Sequence, residues 1–117
     1  MADFAAGNSP ILGSVAIATN PTSGTVMADS GAVPYTDNYE CRVVLSQSAA
    51  AAFSFARRNA TNSADVVPFP MVLYGAAGQS SEYVILVRLE KDERVRVTMA
   101  ANLTGQAQVL IQVEQRC

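Results

Sequence analysis

Three runs in the last third of the chain alternate strictly, and this alternation limits the fold more than any other feature. In Ser80 to Glu90, Tyr83, Ile85, Val87 and Leu89 fall on one side. In Glu93 to Ala101, Val95, Val97, Met99 and Ala101 do the same, and in Gln106 to Arg116, Ala107, Val109, Ile111 and Val113. A period of two places successive side chains on opposite faces of a pleated strand. Three such runs joined by short polar turns predict an antiparallel meander with one buried face. Lys91 and Asp92 form its first turn, and Asn102-Leu103-Thr104-Gly105 its second, with Gly105 supplying a left-handed position.

The rest of the chain extends the pattern. Met1 to Pro10 is small and polar and reads as an arm, with Phe4 as its one anchor. Ile11 to Thr19 is a strand with Val15 and Ile17 on one face, followed by a turn over Asn20-Pro21-Thr22-Ser23-Gly24. Thr25 to Ala28 is a short strand, and Asp29 to Asn38 a loop. Tyr39 to Gln47 is a strand with Cys41, Val43 and Leu45 on one face and Arg42, Val44 and Ser46 on the other. In Ala49 to Arg58 the alanine run favours a helix by propensity, but Phe53, Ser54 and Phe55 alternate, so we read a strand. Pro68 and Pro70 place the first half of Asp65 to Tyr74 at an edge or in extended, unpaired chain. Met71 to Tyr74 can pair.

These runs amount to about eight strands with turn signals every eight to twelve residues, the spacing of a β-sandwich or small barrel. At 117 residues the chain makes one domain over 11–117 preceded by the arm over 1–10. The immunoglobulin Cys…Trp…Cys pattern fails because tryptophan is absent. The expected class is therefore an all-β, antiparallel, jelly-roll-like sandwich.

Composition narrows the function. Charged residues make up 15% of the chain, against the roughly 25% usual for soluble domains, which points to a subunit that buries surface against partners. Net charge is -2 and Lys91 is the only lysine, so no basic stripe addresses a nucleic-acid backbone. Histidine is absent, removing the usual general base and the commonest metal ligand. Met1-Ala2-Asp3-Phe4 is not the start of a secretory signal, and no window approaches a membrane span, so we expect synthesis in the cytoplasm and no membrane partner.

The supposed outer face of the meander carries more than polar residues. Glu82, Arg88, Arg94, Arg96, Thr98, Gln108, Gln112 and Glu114 suit water, but Val84, Leu86 and Leu110 do not, and Val44 adds another apolar group. Something must cover the middle of that sheet. One reading is an intrachain loop, Gly31 to Asn38 or Ala64 to Pro70. The other is a subunit contact of Val84, Leu86, Leu110 and Val44, rimmed by Arg88, Arg94 and Arg96.

Sites for chemistry are sparse. No nucleophile–base pair can be built without histidine, so we expect no enzyme and no cofactor. Glu90, Asp92 and Glu93 read as a solvated hairpin tip. Asp29 and Asp37 lack the dense spacing of a calcium loop. Gly75-Ala76-Ala77-Gly78 is followed by a strand and no Lys-Ser/Thr, so it is not a phosphate loop. Cys41 and Cys117 fit no metal spacing. They are either a core side chain and a terminal thiol, or partners in a disulfide within the chain or, through Cys117, between subunits. A reducing cytoplasm opposes such a bond at synthesis.

In architecture, the small-residue arm Met1 to Pro10 and the C-terminal meander Glu82 to Glu114 resemble phage capsid decoration (cement) proteins. The resemblance implies a homotrimer on a capsid lattice, the major capsid protein as partner, an arm reaching a neighbour, and the virion as location. Tail and fibre components share this style of domain. The expectation is a non-enzymatic structural virion protein. Its rival is a carbohydrate- or ligand-binding sandwich in which Tyr35, Tyr39, Tyr74 and Tyr83 stack on sugar rings.

Overall fold

In the computed structural model the described residues are 11–66 and 71–115, with 11–16 described by backbone alone. Eight strands carry them: β1 (Ile11–Thr19), β2 (Val26–Asp29), β3 (Asp37–Gln47), β4 (Ala51–Arg58), β5 (Met71–Gly75), β6 (Gln79–Leu89), β7 (Arg94–Met99) and β8 (Gln106–Gln115). They form two four-stranded sheets, ordered β1-β8-β3-β6 and β2-β7-β4-β5, with every neighbouring pair antiparallel. The connectivity is that of a jelly-roll β-sandwich: the sandwich agrees with the strand spacing and the jelly roll with the failed immunoglobulin pattern.

The meander is where the expectation fails. β6, β7 and β8 are strands, but β6 and β8 flank β3 in one sheet while β7 lies in the other between β2 and β4. The reason lies at the turns. The Lys91–Asp92 turn is tied to the loop after β2: Asp92 N–H donates to Val33 C=O at 2.9 Å, Val33 N–H to Glu93 C=O at 2.9 Å, and Ser30 N–H to Val95 C=O at 3.0 Å. These bonds draw the chain across to the opposite sheet. Among the described strands, only β4 and β5 are consecutive and also lie side by side.

Alternation decides the core. From β3 come Cys41, Val43 and Leu45, from β8 Val109, Ile111 and Val113, and from β7 Val95 and Val97, all fully or almost fully buried between the sheets. The alanine run of β4 gives way to Phe53 and Phe55, both fully buried. Phe53 lies opposite Met99 and Leu73, and Phe55 opposite Val97 and Met71, so a ladder on each side overrides local helix propensity. Truncating either phenylalanine to alanine would cost about 3–5 kcal/mol. Met71 to Tyr74 do pair, in the edge strand β5, whereas Pro68 and Pro70, on which the edge or unpaired reading of the preceding stretch rests, lie outside the described residues, as do the arm Met1 to Pro10 and Cys117.

Two turns lock together at one end of the sandwich. Asn20, with φ of 51°, donates its N–H to Gly105 C=O at 2.7 Å and accepts the Gly105 N–H on Oδ1 at 2.8 Å. Gly105 has a φ of 127°, which a side chain would resist.

Candidate interaction surface

The outer face of the β1-β8-β3-β6 sheet follows from register. Leu110 on β8 lies opposite Val44 on β3; Val44 faces Glu82 on β6, Arg42 faces Val84, Glu40 faces Leu86 and Asn38 faces Arg88. Directly opposed residues share a face, so the register puts Val44, Val84, Leu86, Leu110 and Arg88 on one face. Val84 is 53% exposed and Leu86 58%, whereas Val44 and Leu110 are half-buried by their neighbours. Among the described residues no loop covers β6: the 31–38 loop, one of the two candidates, serves instead to hold the β6–β7 turn, where Lys91 N–H donates to Thr36 Oγ1 at 2.9 Å.

Charge borders the apolar strip. Arg42 Nε meets Glu82 Oε2 at 2.7 Å, with both side chains about half exposed. Such a pair contributes little to stability because water screens it. Ile17 on β1 is 66% exposed at the row formed with Gln108, Ser46 and Ser80. Sequence reasoning missed it because alternation in Ile11 to Thr19 does not say which side faces out.

Arg96 does not belong to this surface, and neither does Arg94. Both stand on β7, in the opposite sheet. The correction follows from the chain crossing between sheets. Arg96 is held by Asp29, with Nε and Nη2 at 3.0 and 2.8 Å from Oδ2, and Nη2 also donates to Asn62 Oδ1 at 3.1 Å. Arg94 lies 3.5 Å from Asp29 Oδ1. Burial pushes the Asp29 carboxyl up, but the Gly31 N–H and then Arg96 and Arg94 together hold it below the ordinary carboxylate value.

Glu93 also departs from expectation. It is buried, not part of a solvated tip: Oε1 accepts Arg57 Nε and Nη2, both at 2.8 Å, and the Glu90 N–H at 2.7 Å. Asp37 accepts from Gln115 Nε2 and from the Asn38 N–H. Among the described residues no three His, Cys, Asp or Glu side chains gather as a metal site, and no helix is long and apolar enough to cross a membrane. Cys41 is a free thiol inside the sandwich, and burial pushes it up to about 12.

The four tyrosines do not share one groove. Tyr39 is buried and donates its hydroxyl to Tyr35 C=O, with Tyr35 exposed. Tyr83 donates its hydroxyl to Tyr74 C=O, and the Tyr74 side chain is exposed. A polar trough of about 380 Å³ crosses the end of the first sheet between Ile17, Ser46, Ser80, Gln106 and Gln108. Within it the Ser46 and Ser80 hydroxyls lie 2.8 Å apart. Hydroxyls and amides of this kind can hydrogen-bond a neutral polar ligand.

No protein-family model matches the chain, and no curated protein matches it by sequence. Solved structures do. The globular domain of zebrafish complement 1qA protein superposes with a TM-score of 0.61 at 9% identity, covering 89% of this chain and 94% of that one. A family 4 carbohydrate-binding module gives 0.61 at 8% identity, covering 87% and 71%. A carbohydrate-binding module from Cellvibrio mixtus lichenase 5A, in complex with cellotriose, gives 0.53 at 9% identity, covering 92% and 88%. At such identities the likeness is one of fold alone.

Proposed function

We propose that the chain is a non-enzymatic structural subunit that acts by assembling, and that its setting is a virion shell, where it decorates and cements the lattice by bridging major capsid subunits. One observation carries the reading: Val84 and Leu86 stand more than half exposed beside Val44 and Leu110 on a sheet face that no described part of the chain covers. Burying an aliphatic side chain fully is worth about 1.5–3 kcal/mol before association costs, enough to help hold an assembly. The 15% charged fraction supports the same reading. A tail or fibre position in the virion would use the same face.

Sedimentation equilibrium of the full chain between micromolar and millimolar concentration tests self-association. The double variant Val84→Asp, Leu86→Asp should associate less while keeping its circular dichroism spectrum, because both side chains point to water. A wild-type chain that stays monomeric throughout would overturn the assembly reading. Quantifying the protein in purified particles tests the virion setting.

A second reading, carbohydrate binding, is favoured by the polar trough at Ser46, Ser80, Gln106 and Gln108 and by the likeness to a module that holds cellotriose. The separation of the four tyrosines into two backbone-bonded pairs counts against a stacking platform. Titration calorimetry with cello-oligosaccharides distinguishes it, since heat that disappears in Gln108→Ala would support the trough as the site.

A further inference from the structure

We propose that the outer edge of β6 pairs with the same edge of a second copy, antiparallel and across a two-fold axis midway between the two copies' Ile85, so that two sheets join into one. The proposal deepens the assembly reading and rests on it. β6 is the last strand in its sheet, and among the described residues nothing pairs with its other side. From Gln79 to Leu89 it runs beside β3 without a register shift. It contains no proline or lysine and is rich in β-branched and aromatic residues at Tyr83, Val84, Ile85 and Val87. A long, regular, apolar edge is a template for another strand unless something blunts it. The edge of β5 is blunted where the Tyr83 hydroxyl occupies the Tyr74 N–H and C=O.

The sequence of β6 selects one partner and one register. Directly opposed residues in an antiparallel pair share a face, so the allowed two-fold centres are single residues. Centring on Val84 sets Glu82 against Leu86. Centring on Leu86 sets Val84 against Arg88 and Glu82 against Glu90. Centring on Ile85 sets Glu82 against the second copy's Arg88 and Val84 against its Leu86, each twice by symmetry. On the inner side Tyr83 then meets Val87, and Ile85 meets itself. The edge is complementary to itself in charge and in apolar contact, which identifies the occupant as a second copy of this chain. The symmetry is two-fold, where the likeness to decoration proteins implied three. Joining the edges would also double the apolar strip offered to a shell.

Charge reversal tests the pairing. Sedimentation equilibrium is run on wild type, Glu82→Arg, Arg88→Glu, the double reversal and an equimolar mixture of the two single variants, with circular dichroism as the check on folding. Each single reversal places like charges opposite each other twice and should weaken dimerisation by at least about tenfold. The double reversal should restore it. The mixture should form heterodimers tighter than either homodimer, because all four charges then meet opposites. If wild type associates but the reversals leave its constant unchanged, or if it forms trimers, β6 pairing is wrong and the assembly reading stands. A monomeric wild type would remove both.

Discussion

The hydroxyl of Tyr83 on β6 closes both backbone groups of Tyr74 on β5: Oη accepts the Tyr74 N–H at 3.2 Å and donates to the Tyr74 C=O at 2.8 Å. One side chain thus crosses from the first sheet and finishes the open edge of the second. Replacing Tyr83 by Phe keeps the ring and leaves two edge groups to water. We expect a loss of about 1 kcal/mol, read from the urea midpoint with an unchanged slope. An unaltered midpoint would show that water serves Tyr74 equally well.

Gly75 ends β5 against the side chain of Gln47, whose Nε2 donates to Ala76 C=O at 2.5 Å and Gln79 C=O at 3.1 Å. A Cβ at position 75 would collide with that amide. Gly75→Ala should therefore cost about 1–3 kcal/mol. In a Gln47→Ala background the amide is gone and the same change should cost less than about 0.5 kcal/mol. The double-mutant cycle measures the difference, and equal costs in both backgrounds would exclude the clash as the cause.

Acid should weaken the fold in a defined window. In the folded chain the Asp29 carboxyl sits below its ordinary value of 3.8, because the Gly31 N–H and the Arg96 and Arg94 guanidinium groups outweigh its burial. Asp37 is lowered in the same direction, first by Gln115 and then by the Asn38 N–H. A depressed carboxylate adds stability that is complete above the unfolded value and lost as pH falls through the folded one. Stability should thus be level near neutrality and decline below pH 3.8. Asp29→Asn should be less stable at neutral pH and decline less steeply in acid, the Asp37 share remaining. Thermal melts from pH 7 downward would show it.

Cys41 should be silent to thiol reagents. It is fully buried, and burial pushes its thiol up to about 12, so the thiolate is scarce at ordinary pH. In a Cys117→Ser variant we expect no reaction with a chromogenic disulfide reagent at pH 8 in the native state and full reaction in denaturant. Rapid native labelling would mean that β3 opens far more readily than its position between β8 and β6 implies.

Much of this architecture was legible in the residues themselves. Cys41, Val43 and Leu45 against Arg42 and Val44, and Val109, Ile111 and Val113 against Gln108 and Gln112, separate inside from outside before any coordinates exist. Partner choice was not legible. A period of two assigns faces but says nothing of which strand lies alongside, so three successive alternating runs suggested a meander that the chain does not make. Because β7 lies in the second sheet, Arg94 and Arg96 stand on a different face from the one that a meander implies. Glu93 departs from a solvated tip for a related reason: its partner, Arg57, is distant in sequence and reaches it only through the fold. On the outer face, the exposure of Val84 and Leu86 agrees with the pattern read from sequence, while Ile17 needed the pairing of β1 with Gln108 to be located.

The order β1-β8-β3-β6 seats the final strand of the eight between two from the first half of the chain. On a ribosome, β1 and β3 would be made early yet have nothing between them until β8 emerges. A nascent chain therefore holds two incomplete strand borders from the completion of β3 until β8 is made. Cooperative closure must wait for β8, and a prematurely stopped product lacking it would forfeit its central rib and the whole of that sheet with it.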